Sequence, residues 1–373
     1  MSHATGMLPK APRSLYLRRL APTTLPQRGQ QAKAPWPASL GLAWLWPLAI
    51  LLGGCVTPKQ FGGPVPFRNQ HPAQLTALRM DPQSARPLPK GNTRLRVDLA
   101  YSSIFLEGTG SGNSWFMDGE ILRSGLKVRH GLGHGLEVWG ELAMALTGPG
   151  FLDDFVENWH DAFGLPNQNR DQFPKDVWRV EAQKGGVTAW EMDRTDGALL
   201  DLPLGLNWNF VPMTAEQPWA LTARVATELP TGNQERGFGS GGFDWSLGMV
   251  GEYRYEAWSF TAHAQHTFVH TPDPADRAGL DFRDVTSAGV GAETALAEHT
   301  FLLMQILFDT STLRQLDFDR VSDPQWTLWF GLRHHMGERF AVEVGFGEDL
   351  STDGPPDFTA WLAFIFELGG GED

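Results

Sequence analysis

The chain has 373 residues and a formal net charge of −13 at pH 7, with 43 Asp and Glu against 30 Lys and Arg. Such an acidic balance argues against a nucleic-acid partner and against a basic protein that binds a membrane surface. The single cysteine, Cys55, leaves no intramolecular disulfide. The 42 glycines and 15 tryptophans are numerous for a soluble domain. They favour an outer-membrane β-barrel, with a periplasmic globular protein as the alternative.

Residues 1–54 are predicted to be a bacterial secretory signal of the lipoprotein type. Residues 38–54 are almost wholly apolar and end in Leu-Gly-Gly before Cys55, where small residues admit the lipoprotein peptidase. Six Lys and Arg and no acid precede this stretch. It is short for a membrane span and contains Pro47, which argues against a transmembrane anchor. We expect Cys55 to carry a lipid that anchors the N-terminus at the periplasmic side of the outer membrane.

Residues 55–92 are rich in proline and poor in large apolar side chains. The prolines are Pro58, Pro64, Pro66, Pro72, Pro82, Pro87 and Pro89. This composition predicts an extended periplasmic tether without a core of its own.

Residues 93–368 alternate between apolar and polar side chains with a period of two, which is typical of strands with two unlike faces. About twelve runs occur, each near the 9–11 residues that a tilted strand needs to cross a bilayer. A soluble β-sandwich also alternates, but its strands are usually shorter. We predict an all-β protein, an antiparallel transmembrane β-barrel of about 12 strands, followed by a C-terminal tail at 369–373.

Short and long connections alternate along these runs, as they do in outer-membrane barrels. The short ones, such as 131–135 and 256–257, are assigned to the periplasm. The long ones, including 107–118 and 147–197, are assigned to the cell exterior. The last run places Phe358, Phe364 and other apolar residues on one face, like the terminal strand that the barrel assembly machinery reads.

The segment 151–170 interrupts the alternation and is predicted to begin with an amphipathic helix. Aromatic residues recur every four positions and form one stripe. Three interpretations stay open: the stripe packs on the rim or plugs the lumen, it lies on the outer leaflet, or the acids and histidine bind metal or catalyse. We favour the first, since carboxylate–histidine metal bundles need ligands from four helices. The residues assigned to this plug or gate helix are Phe151, Phe155, Glu157, Trp159, His160, Asp161 and Phe163.

Charged residues at alternate positions of the runs are predicted to line the barrel lumen. They carry both signs, which suits either a narrow water-filled path or a closed interior of mutual pairs. The predicted lining residues are Arg94, Arg96, Asp98, Arg123, Lys127, Arg129, Glu137, Glu141, Asp201, Arg224, Glu228, Asp244, Glu252 and Arg254.

No catalytic constellation stands out in the sequence. Ser240 lies in a Gly-Ser-Gly-Gly stretch that lacks the spacing of a nucleophile elbow and reads as a flexible loop. Zinc-ligand spacing, a P-loop and a dinucleotide fingerprint are absent from the sequence. We therefore expect no enzyme, no metal and no cofactor.

Several motifs lie in the predicted outer connections and at strand ends. They are Gly-Phe-Leu-Asp at 150–153, Trp-His-Asp-Ala-Phe-Gly-Leu-Pro-Asn at 159–167, Pro-Thr-Gly at 230–232, Gly-Ser-Gly-Gly-Phe-Asp at 239–244, Glu-Asp at 348–349 and Pro-Asp-Phe at 356–358. Through them the chain resembles an uncharacterised bacterial family, domain of unknown function 3187. The resemblance implies an envelope β-barrel and implies no activity.

The sequence favours a narrow or gated channel or transporter for small polar or amphiphilic molecules in the bacterial outer membrane. Two alternatives stay open: an outer-membrane lipid-hydrolysing enzyme, and a non-conducting structural barrel lipoprotein. The expected partners are outer-membrane lipid, the barrel assembly machinery and a small-molecule solute.

Overall fold

A computed structural model describes residues 61–192, 196–314, 320–351 and 354–369. The predicted signal, the lipidation site Cys55 and residues 370–373 of the predicted tail lie outside the described residues. Three helices are α1 (Pro72–Leu75), α2 (Asp153–Phe163) and α3 (Asp273–Arg277). Within the described ranges, no helix is long and apolar enough to cross a membrane.

Strands make up most of the described chain. They are β1 (Thr93–Gly110), β2 (Asn113–Gly133), β3 (Leu136–Gly148), β4 (Arg179–Lys184), β5 (Val187–Met192), β6 (Gly197–Leu199), β7 (Leu202–Val211), β8 (Trp219–Leu229), β9 (Asp244–Tyr255), β10 (Trp258–Phe268), β11 (Val285–Ala297), β12 (Thr300–Asp309), β13 (Gln325–His335), β14 (Phe340–Asp349) and β15 (Phe358–Leu368).

Twelve of these strands close into one antiparallel barrel, as predicted. β1 pairs with β2 on one side and with β15 on the other, where Arg96 lies opposite Ile365. The order then runs from β2 through β3 and β7 to β15, each strand paired with the next. β4 and β5 form a hairpin on the far end of β2, and β6 adds to β3. β4 and β5 fall within 147–197, the predicted long connection, and β6 begins at its last residue.

The predicted long connection at 107–118 is wrong, because β1 and β2 continue through it. Their hairpin turns at Ser111 and Gly112, both with positive φ, as a two-residue turn requires. The apolar residues here, such as Leu106 and Met117, are buried on the inner side, while Phe105 packs on the outer side. A strand buried on both faces shows no alternation, which hid this one.

The outward face of the barrel is an apolar band, as a lipid-facing surface should be. Exposed aliphatic side chains include Val97, Leu99, Leu126, Val128, Leu142, Leu206, Leu247 and Val344. We call the end that carries the tight joints, with Thr93 and Leu368, the short-turn end, and the opposite end the long-loop end. Exposed aromatic side chains flank the band at both ends, with Trp208, Phe210, Trp219, Tyr253 and Tyr255 at the short-turn end and Phe243, Trp245, Phe268 and Trp326 at the long-loop end.

Residues 61–90 fill the barrel interior, so the prediction of a coreless tether is wrong for the described part of 55–92. The segment starts at the short-turn end, where Phe61 packs against Phe301 at 5.7 Å between ring centroids. It reaches the long-loop end at α1 and returns to the short-turn end, where the Gly91 N–H donates to the Gly131 carbonyl oxygen. We call residues 61–90 the lumen plug. It builds no core alone, but its apolar side chains fill the space between inward-facing residues of the wall.

Apolar clusters along its length hold the plug, and two of them lie near its first half. Val65 and Phe67 pack with Trp329 and Trp361 of the wall, and the Phe67 ring stacks on Trp329 at 5.6 Å. At the long-loop end, Leu75 belongs to a larger core formed by the outer parts of β1–β4 and the long loops. This cap core contains Ile104, Leu106, Trp115, Met117, Ile121, Val180, Leu200, Phe238, Leu280 and Leu313. The plug and the cap core together close the barrel.

Candidate functional site

The fourteen charged residues predicted to line the lumen lie on or beside the barrel strands. Arg94 and Arg254, both near the short-turn end, are half-buried, and the other twelve are buried. Asp201 lies just before β7 and accepts the backbone N–H groups of Gly232 and Ser240, each at 2.6 Å. It therefore fixes a loop at the long-loop end. Ser240 itself is buried, and its hydroxyl contacts the Gly242 carbonyl oxygen at 3.0 Å.

A buried network of ion pairs joins residues from six strands, β11, β13, β14, β1, β2 and β3, along the inner wall. Arg333 donates to Glu293 and to Glu343, each at 2.6 Å, and Glu343 also accepts from Arg96 at 2.6 Å. The network continues through Asp98, Arg123 and Glu141. Charges of both signs alternate along it, so each carboxylate faces a guanidinium group.

Sequence reasoning missed Glu293, Arg333 and Glu343, the centre of this network. They lie on β11, β13 and β14, where the polar side of the alternation is diluted by glycine, alanine and tryptophan. Trp329 and Trp361 face inward on β13 and β15 and pack against the plug. Alternate residues of a strand share one face, and this rule identified the inward charges on β1–β3. Applied to β11, β13 and β14, the same rule would also find Glu293, Arg333 and Glu343.

Carboxylates of the wall hold the backbone of the plug. The N–H groups of Gly63, Leu78, Ala85 and Leu88 donate to Glu293, Asp244, Glu252 and Glu137, with distances between 2.9 and 3.1 Å. Lys127 of the wall donates to Asp81 of the plug at 2.7 Å. Outside α1 the plug has no regular secondary structure, and these wall carboxylates take the place of backbone partners for its buried N–H groups.

Glycine is required where the plug passes Arg333. A Cβ atom at Gly62 would lie 2.2 Å from Nη1 of Arg333, and Gly63 adopts φ of +94°. The backbone of this dipeptide lies directly against the Arg333 and Glu293 side chains. A larger residue here would displace the guanidinium from its two carboxylates.

The tip of the plug carries a buried histidine. Nδ1 of His71 accepts the Ala73 N–H at 3.1 Å, and Nε2 has no hydrogen-bond partner. The ring lies 6.4 Å from that of Trp115. Burial lowers the pKa of His71 to about 4. The histidine is therefore neutral at pH 7.

We expect acid to loosen the folded, plugged state through His71. Since the pKa of His71 is depressed in the folded protein, its contribution is present above pH 6.5 and is lost as the pH falls toward 4. Between pH 7.5 and pH 5 the free energy of unfolding should drop by about 2 kcal/mol more than in His71→Gln. Urea unfolding in detergent, followed by tryptophan fluorescence, measures both proteins. Equal drops in the two would contradict this role.

A small cavity opens at the short-turn end between plug and wall. Phe61 and Pro66 of the plug line it, opposite Arg96, Lys127 and Glu343 of the wall. Beyond the cavity the plug fills the interior as far as the cap core. The cavity thus opens at the short-turn end, and the interior beyond it is closed.

Helix α2 lies on the outer surface of the barrel, so the prediction of a lumen plug is wrong for it. Trp159 packs on Phe346 at 5.3 Å, Phe155 on Phe358 at 5.1 Å, and Phe151 on Tyr101 at 5.4 Å. All three partners point outward from their strands. The interior is already filled by residues 61–90, and the outward-facing aromatics offer the stripe an apolar surface near the long-loop end. Phe151, Phe155 and Phe163 stay exposed on their free side.

The polar residues of α2 diverge instead of forming the metal or catalytic group that the sequence left open. Glu157 pairs with Lys175, and Asp161 accepts from Asn167 at 3.1 Å. His160 turns to the barrel and contacts Glu348 at 3.0 Å. It joins a cluster beneath the helix that draws on four of the sequence motifs. This rim cluster consists of Asp153, His160, Gln168, Arg170, Glu348, Asp349 and Asp357.

Arg170 holds the rim cluster to the barrel. It donates to Asp153 at 2.8 Å and to Ser103 of β1 at 2.9 Å, and it pairs with Asp357. Arg170→Met should leave two buried carboxylates unpaired and detach α2, while the barrel stays folded. We expect a protease other than trypsin, such as thermolysin, to cleave residues 149–178 about tenfold faster. This change corresponds to a loss of about 1.4 kcal/mol in the free energy that docks α2 on the barrel.

The control is Lys175→Met, which removes an exposed ion pair with Asp154 and Glu157. Exposed pairs contribute little, so its cleavage rate should stay within about twofold of the parent. Equal cleavage of the two variants would show that Arg170 does not hold the helix.

These features define a transmembrane β-barrel with a polar interior that its own N-terminal segment fills. The chain belongs to the family described as protein of unknown function (DUF3187), whose profile matches residues 56–368. No curated protein matches the sequence.

The chain is similar to many solved structures, including the following two. An outer membrane channel from Pseudomonas putida F1 is 13% identical with a TM-score of 0.51, over 78% of this chain and 100% of that one. The NanC porin is 10% identical with a TM-score of 0.41, over 74% of this chain and 100% of that one. The first similarity shows the fold of an outer-membrane barrel.

Proposed function

We propose that the protein is a gated channel of the bacterial outer membrane for small polar or amphiphilic solutes, and that the lumen plug is its gate. The observation that carries this proposal is the nature of the closure. The interior of the barrel is lined by charged side chains and filled by a segment without strand structure. A charged inner wall filled by a segment that is not part of the sheet is the arrangement of a channel that a removable segment closes.

The polar contacts between plug and wall are of a kind that water can replace. Four backbone N–H groups of the plug are held by Glu137, Asp244, Glu252 and Glu293. When the plug leaves, water can hydrate these carboxylates, so the net cost of losing these four hydrogen bonds is modest. A twelve-stranded barrel is wider than the eight-stranded barrels that wall side chains alone can fill. Without the plug the interior would hold a water-filled path.

The orientation follows from the strand connections. Short turns face the periplasm in outer-membrane barrels, so the cavity beside Phe61 and Arg96 would open to the periplasm. The cap core would then face the cell exterior. Leu75 of the plug is part of that core, so departure of the plug would also weaken the outer closure. The fold shared with the channel from Pseudomonas putida F1 supports this proposal.

A reversible lock tests whether plug movement is the gate. Ala85 of the plug packs with Ala220 of β8 in one buried cluster. In a Cys55→Ser background, the pair Ala85→Cys and Ala220→Cys should keep the barrel silent in planar bilayers while oxidised. Reduction should restore the openings of the parent, and each single variant should be insensitive to reductant. Openings of the same frequency in the oxidised and reduced pair would rule out the plug as the gate.

A non-conducting structural barrel is the second candidate, favoured by the cap core over the long-loop end. The lipid-hydrolysing enzyme has no such support, since Ser240 is engaged in its own loop. If the barrel stays silent after removal of the plug, the structural role takes precedence.

We further propose that Cys55 carries a lipid. It precedes Phe61 by six residues, a reach of at most about 20 Å, so the anchor would hold the start of the plug at the periplasmic membrane surface. The mass of the mature protein tests this directly, with Cys55→Ser as the control.

A further inference from the structure

We propose that the rim cluster binds one divalent transition-metal ion through His160, Glu348 and Asp349. One ligand atom of each lies within 4.8 Å of the other two. His160 and Glu348 are buried beneath α2, and Asp349 is half-buried. One imidazole and two carboxylates form a ligand set that suits Zn²⁺, Mn²⁺ or Fe²⁺. This site is separate from the lumen and does not depend on the channel proposal.

The tautomer of His160 leaves a lone pair directed at a carboxylate. Nδ2 of Asn167 donates to Asp161 at 3.1 Å, which turns Oδ1 of Asn167 toward Nδ1 of His160, also at 3.1 Å. Nδ1 therefore carries the proton in this assignment, and Nε2 of the neutral ring can only accept. Nε2 lies 3.0 Å from Oε1 of Glu348, which is also an acceptor. A cation or a proton must lie between them.

The surroundings of His160 are those of a metal ligand. A metal-bound histidine usually donates its second N–H to an oxygen, which fixes the ring, and Asn167 does this here. The ligating carboxylate is usually hydrogen-bonded too, and Nε1 of Trp159 donates to Oε2 of Glu348 at 3.1 Å. The two motifs at 159–167 and 348–349 thus supply both the ligands and the groups that orient them.

An orphan oxygen points independently to a missing ligand. Gln168 is only 8% exposed, and its Oε1 has no hydrogen-bond partner. Its Nε2 donates to Asp349 at 3.2 Å and to Asp357 at 3.0 Å, so the amide lies inside the cluster. A buried carbonyl oxygen without a partner destabilises the folded protein, and a cation would supply the partner. The excess of negative charge agrees, with four carboxylates and one permanent cation, Arg170.

Metal titration of the refolded full-length mature protein tests the site. After dialysis against a chelator, Zn²⁺ and Mn²⁺ are titrated by calorimetry at pH 7.5, with Ca²⁺ as a hard-cation comparison. We expect one ion per chain. His160→Gln and Glu348→Gln should each weaken binding beyond the ~10–100-fold that loss of an orienting partner costs, and Asn167→Ala should fall within that range.

The matched control is Glu157→Gln, which removes a carboxylate of the same helix that faces Lys175. It should bind the metal as the parent does. A second readout is protection of residues 149–178 from thermolysin, which the metal should increase in the parent and not in His160→Gln. The heat-modifiable gel shift shows that each variant barrel is folded. No stoichiometric binding, or equal affinity in His160→Gln and Glu157→Gln, would leave a shared proton as the occupant and overturn the proposal.

Discussion

Deletion of residues 61–88 is expected to turn a barrel that opens only rarely into one that carries frequent, discrete current steps. The deletion removes the plug and leaves Pro89–Asn92 to lead into β1. The wall carboxylates that held the plug would be hydrated in place of their backbone partners. The twelve-strand pairing does not involve the plug, so the barrel should still show heat-modifiable mobility. Planar-bilayer recording measures the change.

The matched control is deletion of residues 151–170, which carry α2. The sequence alone nominated this helix as the gate, whereas the structure places it outside the wall. Its removal should leave the openings as rare as they are in the parent. Frequent openings after loss of 151–170, and openings as rare as the parent's after loss of 61–88, would return the gate to the surface helix.

Arg333→Met should be the most destabilising single substitution in the wall. Arg333 is 3% exposed and pairs with Glu293 and Glu343, which are 2% and 0% exposed. Removing the guanidinium leaves the negative charges of two buried carboxylates only partly neutralised. Breaking a buried ion pair in this way costs about 3–5 kcal/mol in the free energy of unfolding. Urea unfolding in detergent at pH 7.5 should show a loss of that size.

Arg86→Met is the control for Arg333→Met. The Arg86 side chain is 30% exposed, and its partner Glu252 is also held by Arg254 and Ser84. We expect it to cost about 1 kcal/mol or less. Adding Glu343→Gln to Arg333→Met should recover part of the loss, because one unpaired charge is removed. Similar costs for Arg333→Met and Arg86→Met would show that water already screens the interior.

The strands were predictable because each one separates two unlike environments. The alternation at 258–270 and at 325–335 predicts two strands, and β10 (Trp258–Phe268) and β13 (Gln325–His335) begin and end within about two residues of these bounds. Alternation fails where both faces are buried, as at Phe105 and Leu106, and there the sequence indicated a loop instead of a strand. Periodicity reports only the local contrast between the two faces of a strand.

The plug was not predictable for a different reason. Its partners lie far along the chain: Gly63 binds Glu293, and Asn69 binds Gln325. A segment without periodicity, such as 61–90, shows no sign of a lumen that other strands build. For α2, the aromatic stripe predicted the helix but not the surface on which the helix packs. The outward-facing Phe346 and the inward-facing Trp329 look alike in the sequence.

The most direct test of the account asks whether residue 65 is enclosed in the folded protein. Two cysteine variants are made in a Cys55→Ser background. Val65→Cys places a thiol where the Val65 side chain is 0% exposed, and Leu132→Cys places a thiol where the Leu132 side chain is 43% exposed. A membrane-impermeant maleimide is added to the refolded protein in liposomes. We predict that the thiol at position 132 is labelled rapidly and that the thiol at position 65 is labelled only after unfolding. Rapid labelling at 65 in the folded barrel would contradict a plugged lumen.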